Sequence, residues 1–301
     1  MMANLKELKN RITSVKSTQK ITSAMKMVAA SRLKRAQDAA EVARPYAVKM
    51  TEIMTSVLKR IGSLDVSSKL LIGTGSDSVH LIVTVTSDRG LCGGFNSSIS
   101  REVRKLIRSL EADGKEVKIL CIGRKGRDQL KMEFEKNIID CYEGIGKAGV
   151  DFGEAQMIAS KVIGMFDEGS FDECTLVYNR FVSVISQEVT STKIVPVQLP
   201  EISSEAKIGD TGVNSYSTGY EYEPTEEEIL DELLPQNLCV RIFSALLESS
   251  ASEHGARMSA MDNATRNAGE MIDDLSMIYN RSRQAKITSE LIEIISGAEA
   301  L

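Results

Sequence analysis

The sequence predicts an α/β domain inserted between two long terminal helices that pair with each other as an antiparallel coiled coil. Three observations predict it. Leu33, Ala36, Ala40, Ala43, Ala47, Met50, Met54, Val57 and Ile61 recur at alternating steps of three and four, the seam of a left-handed coiled coil. A second seam, Met261, Ala264, Ala268, Met271, Leu275 and Ile278, repeats the alternation near the other end. Between them β-branched runs alternate with amphipathic ones, the pattern of a mostly parallel sheet covered by helices.

Residues 4–61 are dominated by Lys, Arg, Gln, Ala, Met and Leu, all good helix formers. An early stripe of Leu5, Leu8, Ile12 and Val15 is interrupted by polar Thr18, Gln19 and Lys20 and resumes at Ile21, Met25 and Val28. That reads as a phase slip. Pro45 predicts a bend or a weakened turn. At about 1.5 Å per residue the helix is a rod of roughly 85 Å, so part of it projects or enters another body. Small seam residues set a short distance between the helices. A leucine at Ala40 or Ala43 is therefore expected to part them.

Residues 62–78, rich in Gly, Ser and Asp, read as a connection. The run at 79–86 (VHLIVTVT) is a buried strand. A GLCGGFN turn at 90–96 leads into a helix with Ile99, Val103, Leu106, Ile107 and Leu110 on one face. Strands follow at 117–122, 137–142 and 174–181, with helices at 123–130 and 154–166, and 182–189 and 194–199 extend the sheet. The result is a Rossmann-like, mostly parallel α/β domain. Residues 200–234 form an acidic surface loop. Pro224, with Thr225 and acids after it, marks a helix start. From 238 to 295 the chain is helical, weakened only by Gly255 and Gly269. The domains are thus 1–61, an N-terminal helix; 62–234, the insertion with its acidic loop; and 235–301, a C-terminal helix.

The 42% hydrophobic content of these 301 residues supports a real core and excludes wholesale disorder. The net charge of −5 conceals an asymmetry: residues 1–60 hold thirteen Lys/Arg against four Asp/Glu, and residues 201–234 hold ten Asp/Glu against one Lys. Opposite signs imply different partners for the two segments. Five scattered cysteines, no CxxC and two histidines give no readable metal site. The odd cysteine count, with no signal peptide, indicates a reducing compartment. No apolar run reaches the ~18 residues of a membrane span.

The GLCGGFN turn admits two readings, a phosphate cradle or a tight βα turn. Its spacing fits neither the dinucleotide fingerprint nor the P-loop, which favours the tight turn. The basic first helix lacks aromatics before Tyr46 and suits an acidic protein surface better than nucleic acid. Cys92 is expected to be accessible in its turn, but no nearby histidine activates it. Glu253, His254 and Asp262 have no matching partners for acid–base work. No catalytic, cofactor or metal site is read. An α/β nucleotide sensor dimerising through a coiled coil is the competing class, with nucleic-acid binding by residues 1–60 behind it.

Three blocks carry a more specific signal: TQKITSAMKMVAAS at 18–31, SDRGLCGG at 87–94, and the pair ARM at 256–258 with MDNAT at 261–265, followed by YNRSRQAKIT at 279–288 and ELIEIISGA at 290–298. With them the chain closely resembles the gamma subunit of rotary F-type ATP synthases over nearly its whole length, least at 62–78 and 200–234. The resemblance implies a central rotor shaft, not a catalytic subunit and without a cofactor of its own. It implies a ring of three alpha and three beta subunits around the shaft, and epsilon and the c-subunit ring at the foot. It implies beta-subunit contacts by Lys20, Met25, Arg257, Arg283, Gln284 and Thr288. Leu291, Ile292, Ile294 and Ile295 would turn in an alpha–beta bearing. Ser23 removes any charge contact expected at that position, and the absence of a cysteine pair in 200–234 removes the thiol switch of plastid relatives. The start MMANLKELKNR leaves no room for a transit peptide. That favours a bacterial protein, peripheral on the cytoplasmic face of the cell membrane and touching it only through the c ring.

Overall fold

The computed structural model describes residues 5–61, 68–197 and 226–299. Two helices dominate it, α1 (Leu5–Ile61) and α6 (Glu226–Glu299). Between them lie α2 (Lys69–Ile72), β1 (Val79–Val85), α3 (Phe95–Ala112), β2 (Glu116–Ile122), α4 (Arg124–Phe134), β3 (Ile138–Tyr142), α5 (Phe152–Asp167), β4 (Glu173–Phe181) and β5 (Gln187–Val195). The sheet order is β3-β2-β1-β4-β5. The first four strands are parallel, and β5 returns antiparallel to β4.

Where two strand extensions were expected at 182–189 and 194–199, there is one strand, 187–195. Residues 183–186 form its turn, closed by the Ser183 and Ser186 backbones at 2.9 Å. The acidic stretch is also shorter than expected, because α6 already begins at Glu226, with Pro235 inside it. The rest of that stretch and the side chain of Ile61 lie outside the described residues. α1 runs unbroken through Pro45.

Alternation along β1 divides the interior in two. Leu81, Val83 and Val85 face a core shared with α5, with Met50, Met54 and Val57 of α1, and with Leu230, Leu234 and Leu238 of α6. Ile82 faces the other core, built by Ile99, Val103 and Ile107 of α3 and Leu130 of α4. The base of the helix pair is thus one wall of the sheet's own core. Phe152 of α5 meets Phe243 of α6 edge-on at 5.4 Å.

Further along, α1 and α6 lie against each other antiparallel. The hydroxyls of Thr22 and Thr265 meet at 2.8 Å, and Lys26 Nζ reaches Asp262 Oδ1 at 2.6 Å. Gln19 lies over Gly269, where a Cβ would come 3.2 Å from its Nε2. These contacts remove the phase slip. Gln19 and Thr22 occupy the inner line together with Leu8, Ile12, Val15, Ala29 and Leu33, while Ile21 and Val28 are more than half exposed. The heptad step runs through the polar residues because each finds a counterpart on α6.

On α1, Leu33, Met50, Met54 and Val57 are buried, and Ala36, Ala40, Ala43 and Ala47 are half-buried. On α6 the seam is partly corrected. Met261 and Ala268 are buried and Ala264 and Leu275 half-buried, but Met271 and Ile278 point outward at 52% and 50% exposure. Ile272 and Tyr279 take the inner places. Once Thr265 is drawn to Thr22, the inner line steps four before three, which rotates the next two turns by one residue.

The alanines do not close the helices tightly on every side. A groove of about 610 Å³ lined by Ala40, Ala43, Ala47 and Leu247 runs beside them. A leucine at Ala43 therefore has room beside it and is expected to leave the helices together. Ala43→Leu is expected to change stability by no more than about 1 kcal/mol, read as a near-unchanged thermal denaturation midpoint of the full chain.

Candidate functional site

The antiparallel register fixes where the helix pair ends. Facing residues 22 and 265, or 26 and 262, sum to 287 or 288, so Leu5 lies level with Arg283. Beyond that point α6 has no α1 beside it, and residues 283–296 are all exposed. Among the described residues nothing packs against this end, and helix chemistry holds it. It contains no proline, Thr288 Oγ1 bonds back to the Gln284 carbonyl at 3.0 Å, and Lys286 pairs with Glu290 at 3.7 Å. Arg283, Gln284 and Thr288 stand on its first two turns. Leu291, Ile292, Ile294 and Ile295 follow with 53%, 58%, 69% and 54% of their surfaces open. Four large apolar side chains so close together on one free helix end mark a contact surface.

On α1, Lys20 is exposed and Met25 half-buried. Met27 joins Ile21 and Val28 outside at 65% exposure, so a basic helix also presents apolar groups. The Lys26–Asp262 bond, about half exposed on both sides, holds the Asp262 carboxyl below its usual range. It orients the two faces more than it stabilises them.

Arg257 is engaged within the chain. Its side chain is 12% exposed, Nη1 meets Glu253 Oε1 at 2.5 Å, and Nη2 donates to the carbonyls of Arg89 and Gly90, each at 3.3 Å. Those bonds clamp α6 to the turn after β1 and give Arg257 a role within the chain beside the expected partner contact. Beside it Ser252 Oγ donates to the Asn179 carbonyl at 3.0 Å, and Gly255 lets Phe181 come within 3.2 Å of where a Cβ would stand. No sequence pattern announces this clamp, because its two halves are far apart along the chain.

The GLCGGFN turn is filled from inside. Asn96 Oδ1 accepts from the Ser87 amide at 3.0 Å, and Asn96 Nδ2 reaches Cys92 Sγ at 3.2 Å. Cys92 is 1% exposed, which overturns its expected accessibility, and burial pushes its thiol up.

At the opposite end of β1, His80 lies with Asp77 and Glu173, their ligand atoms all within 4.8 Å of one another. Lys115 holds Asp77, and Lys193 holds Glu173. The Lys115 and His80 hydrogen bonds keep Asp77 well below the usual carboxylate range. With both carboxylates bound to ammonium groups, this cluster is a salt-bridged knot at the strand starts. Sequence reading missed it because Asp77, Lys115 and Glu173 meet only through the parallel register.

A long helix pair, an α/β foot welded to its base and a bare apolar tip define a shaft-type subunit, built to be gripped by other chains. A family model described as ATP synthase matches residues 4–301. The chain is 57% identical over 300 residues to the ATP synthase gamma chain of Rhodospirillum rubrum and 55% identical over 302 residues to that of Allorhizobium ampelinum, covering all of each. It belongs to the ATP synthase gamma chain family. Among solved structures it is similar to a chain of the Tetrahymena thermophila mitochondrial ATP synthase central stalk and c-ring (31% identity, TM-score 0.59, 81% of this chain and 99% of that one). A chain of the Euglena gracilis mitochondrial ATP synthase shares the fold at 21% identity and TM-score 0.66, over 98% of this chain and 94% of that one. No described helix is long and apolar enough to cross a membrane.

Proposed function

We propose that this chain is the central rotor shaft of a proton-translocating ATP synthase, turning proton-driven rotation of a c ring into ATP synthesis, and reversibly into hydrolysis, at neighbouring subunits. The observation that carries this is the relationship to gamma chains, at 57% identity over 300 residues. The chain contributes no catalytic group and no cofactor. α1 and α6 wind as a left-handed coiled coil over the length they share, up to Arg283, and the α/β insertion between them is the foot. Three alpha and three beta subunits surround the shaft, epsilon and the c ring hold the foot, and the assembly is peripheral on the cytoplasmic face of the bacterial membrane.

The mechanism is mechanical. A two-helix shaft that thins to one helix at Arg283 has no three-fold symmetry, so each beta subunit meets a different face of it. A face that favours one conformation shifts that subunit's equilibrium by its differential affinity. Reversing a 1:99 population takes about 5.5 kcal/mol. A few charge-assisted hydrogen bonds of about 1.5–3 kcal/mol each supply that order of energy. Arg283 and Gln284, exposed where the pair ends, with Thr288, Lys20 and Met25, are the proposed contacts. Leu291, Ile292, Ile294 and Ile295 form the proposed bearing.

The test is reconstitution with alpha and beta subunits, which should capture one copy of this chain per ring. In that complex Arg283→Ala with Gln284→Ala is expected to lower ATP-driven proton pumping about tenfold, the loss of one such bond. Undiminished pumping by the double variant would remove these two residues from the mechanism.

A further inference from the structure

The carboxyl end of the sheet opens into a cavity of about 230 Å³ between the foot and both long helices. In open α/β sheets, the crevice beyond the carboxyl ends of the strands is where ligands bind. Arg32 of α1, Arg89 after β1, Lys147 after β3 and Arg257 of α6 line it, against two carboxylates, Asp88 and Glu253. Both carboxylates are already held. Asp88 accepts from the amides of Arg124 at 3.1 Å and Gly144 at 2.7 Å, and Glu253 pairs with Arg257. Arg32, Arg89 and Lys147 form no ion pair among the described residues, so the cavity carries a surplus of positive charge.

His254 supplies a second, independent observation. It lines the same cavity, and its Nδ1 is buried without a hydrogen-bond partner. Burial, with Arg257 and Arg32 nearby, holds its imidazole down to about 4. At neutral pH it is uncharged, and one ring nitrogen carries a proton to donate. A buried polar atom with no partner within the chain is open to a ligand or a water that enters the cavity.

We propose that this cavity binds a small oxyanion of the inorganic phosphate class. Its size is below the roughly 300–1,000 Å³ usual for larger organic ligands, and it suits a tetrahedral ion with a few waters. Arg32, Arg89 and Lys147 supply the charge and His254 a directional donor. These residues come from α1, the foot and α6, so a bound ion ties all three together. It stabilises the junction by mass action, as any ligand of the folded state does. The inference does not depend on the rotor reading.

The test uses the full chain and inorganic phosphate at constant ionic strength, with chloride as the balancing anion. Phosphate is expected to show saturable ³¹P line broadening and to raise the thermal midpoint above the chloride control. Lys147→Gln and Arg89→Gln, both at exposed side chains, are expected to leave the phosphate-free midpoint in place and to weaken phosphate Kd about tenfold each. Absence of saturable broadening overturns the proposal. So does wild-type affinity in both variants, or a midpoint shift that chloride reproduces.

Discussion

Gly123→Val is expected to destabilise the fold by about 3–5 kcal/mol, the largest effect of any single substitution argued for this chain. Gly123 sits between β2 and α4 at φ +95°, and a Cβ there would overlap the Thr86 carbonyl oxygen. A β-branched residue in the left-handed region costs about 1–3 kcal/mol by itself, and forced overpacking adds about 1–3 kcal/mol. Thr86 cannot move aside cheaply. Its amide bonds the Ile122 carbonyl at 2.8 Å, and its Oγ1 accepts from the Gly126 amide at 2.9 Å. One residue thus joins the ends of β1 and β2 and the first turn of α4. Urea denaturation of the full chain measures the effect, and a wild-type midpoint would refute it.

Much of this architecture is legible from residues alone, for identifiable reasons. The run at 79–86 is buried on both faces, so it reads as an unbroken β-branched stretch, and β1 lies at the sheet's centre. The seam from Leu33 to Val57 is visible because small and apolar residues fill every inner position. The stretch from Gln19 to Lys26 misleads because hydropathy cannot tell a polar residue facing solvent from one facing a polar partner on another helix. Thr22 belongs to the inner line only because Thr265 stands opposite it. The same ambiguity placed Met271 and Ile278 inside, where Ile272 and Tyr279 stand.

The candidate contact surface divides in the same way. Arg283 to Ile295 are exposed, as residues meant for another chain must be, and they meet no competing partner among the described residues. The clamp at Arg257 is not legible, because two of its partners are the carbonyls of Arg89 and Gly90, and no side-chain pattern reports a carbonyl. The thiol of Cys92 was misjudged for a related reason. Its turn folds over Asn96, and a glycine-rich stretch looks open until its own asparagine is seen to fill it.

Gly255→Leu is expected to loosen the foot from the helix pair and lower the coupling of pumping to hydrolysis in the assembled enzyme. Torque entering at the foot can reach the shaft only through the contacts between them. Along α6 those are the core shared through Leu230, Leu234 and Leu238, the Phe243–Phe152 contact and, further on, Ser252 to Asn179, Gly255 against Phe181 and Val184, and Arg257 to the turn after β1. A Cβ at 255 comes 3.2 Å from the Phe181 ring, with the Val184 backbone at 3.7 Å. Alanine needs a shift of a few tenths of an ångström, whereas leucine drives three more carbons into occupied space. The helix must then retreat, and the buried Ser252 bond breaks with it. Overpacking of about 1–3 kcal/mol and a stranded buried polar group of about 1–3 kcal/mol together predict a loss of about 3 kcal/mol or more. Protons pumped per ATP hydrolysed, compared among wild type, Gly255→Ala and Gly255→Leu, give the readout. The alanine variant is expected to stay near wild type and the leucine variant to fall well below it. An unchanged ratio with leucine would mean that torque passes to the shaft through the shared core at Met50, Met54 and Val57 instead.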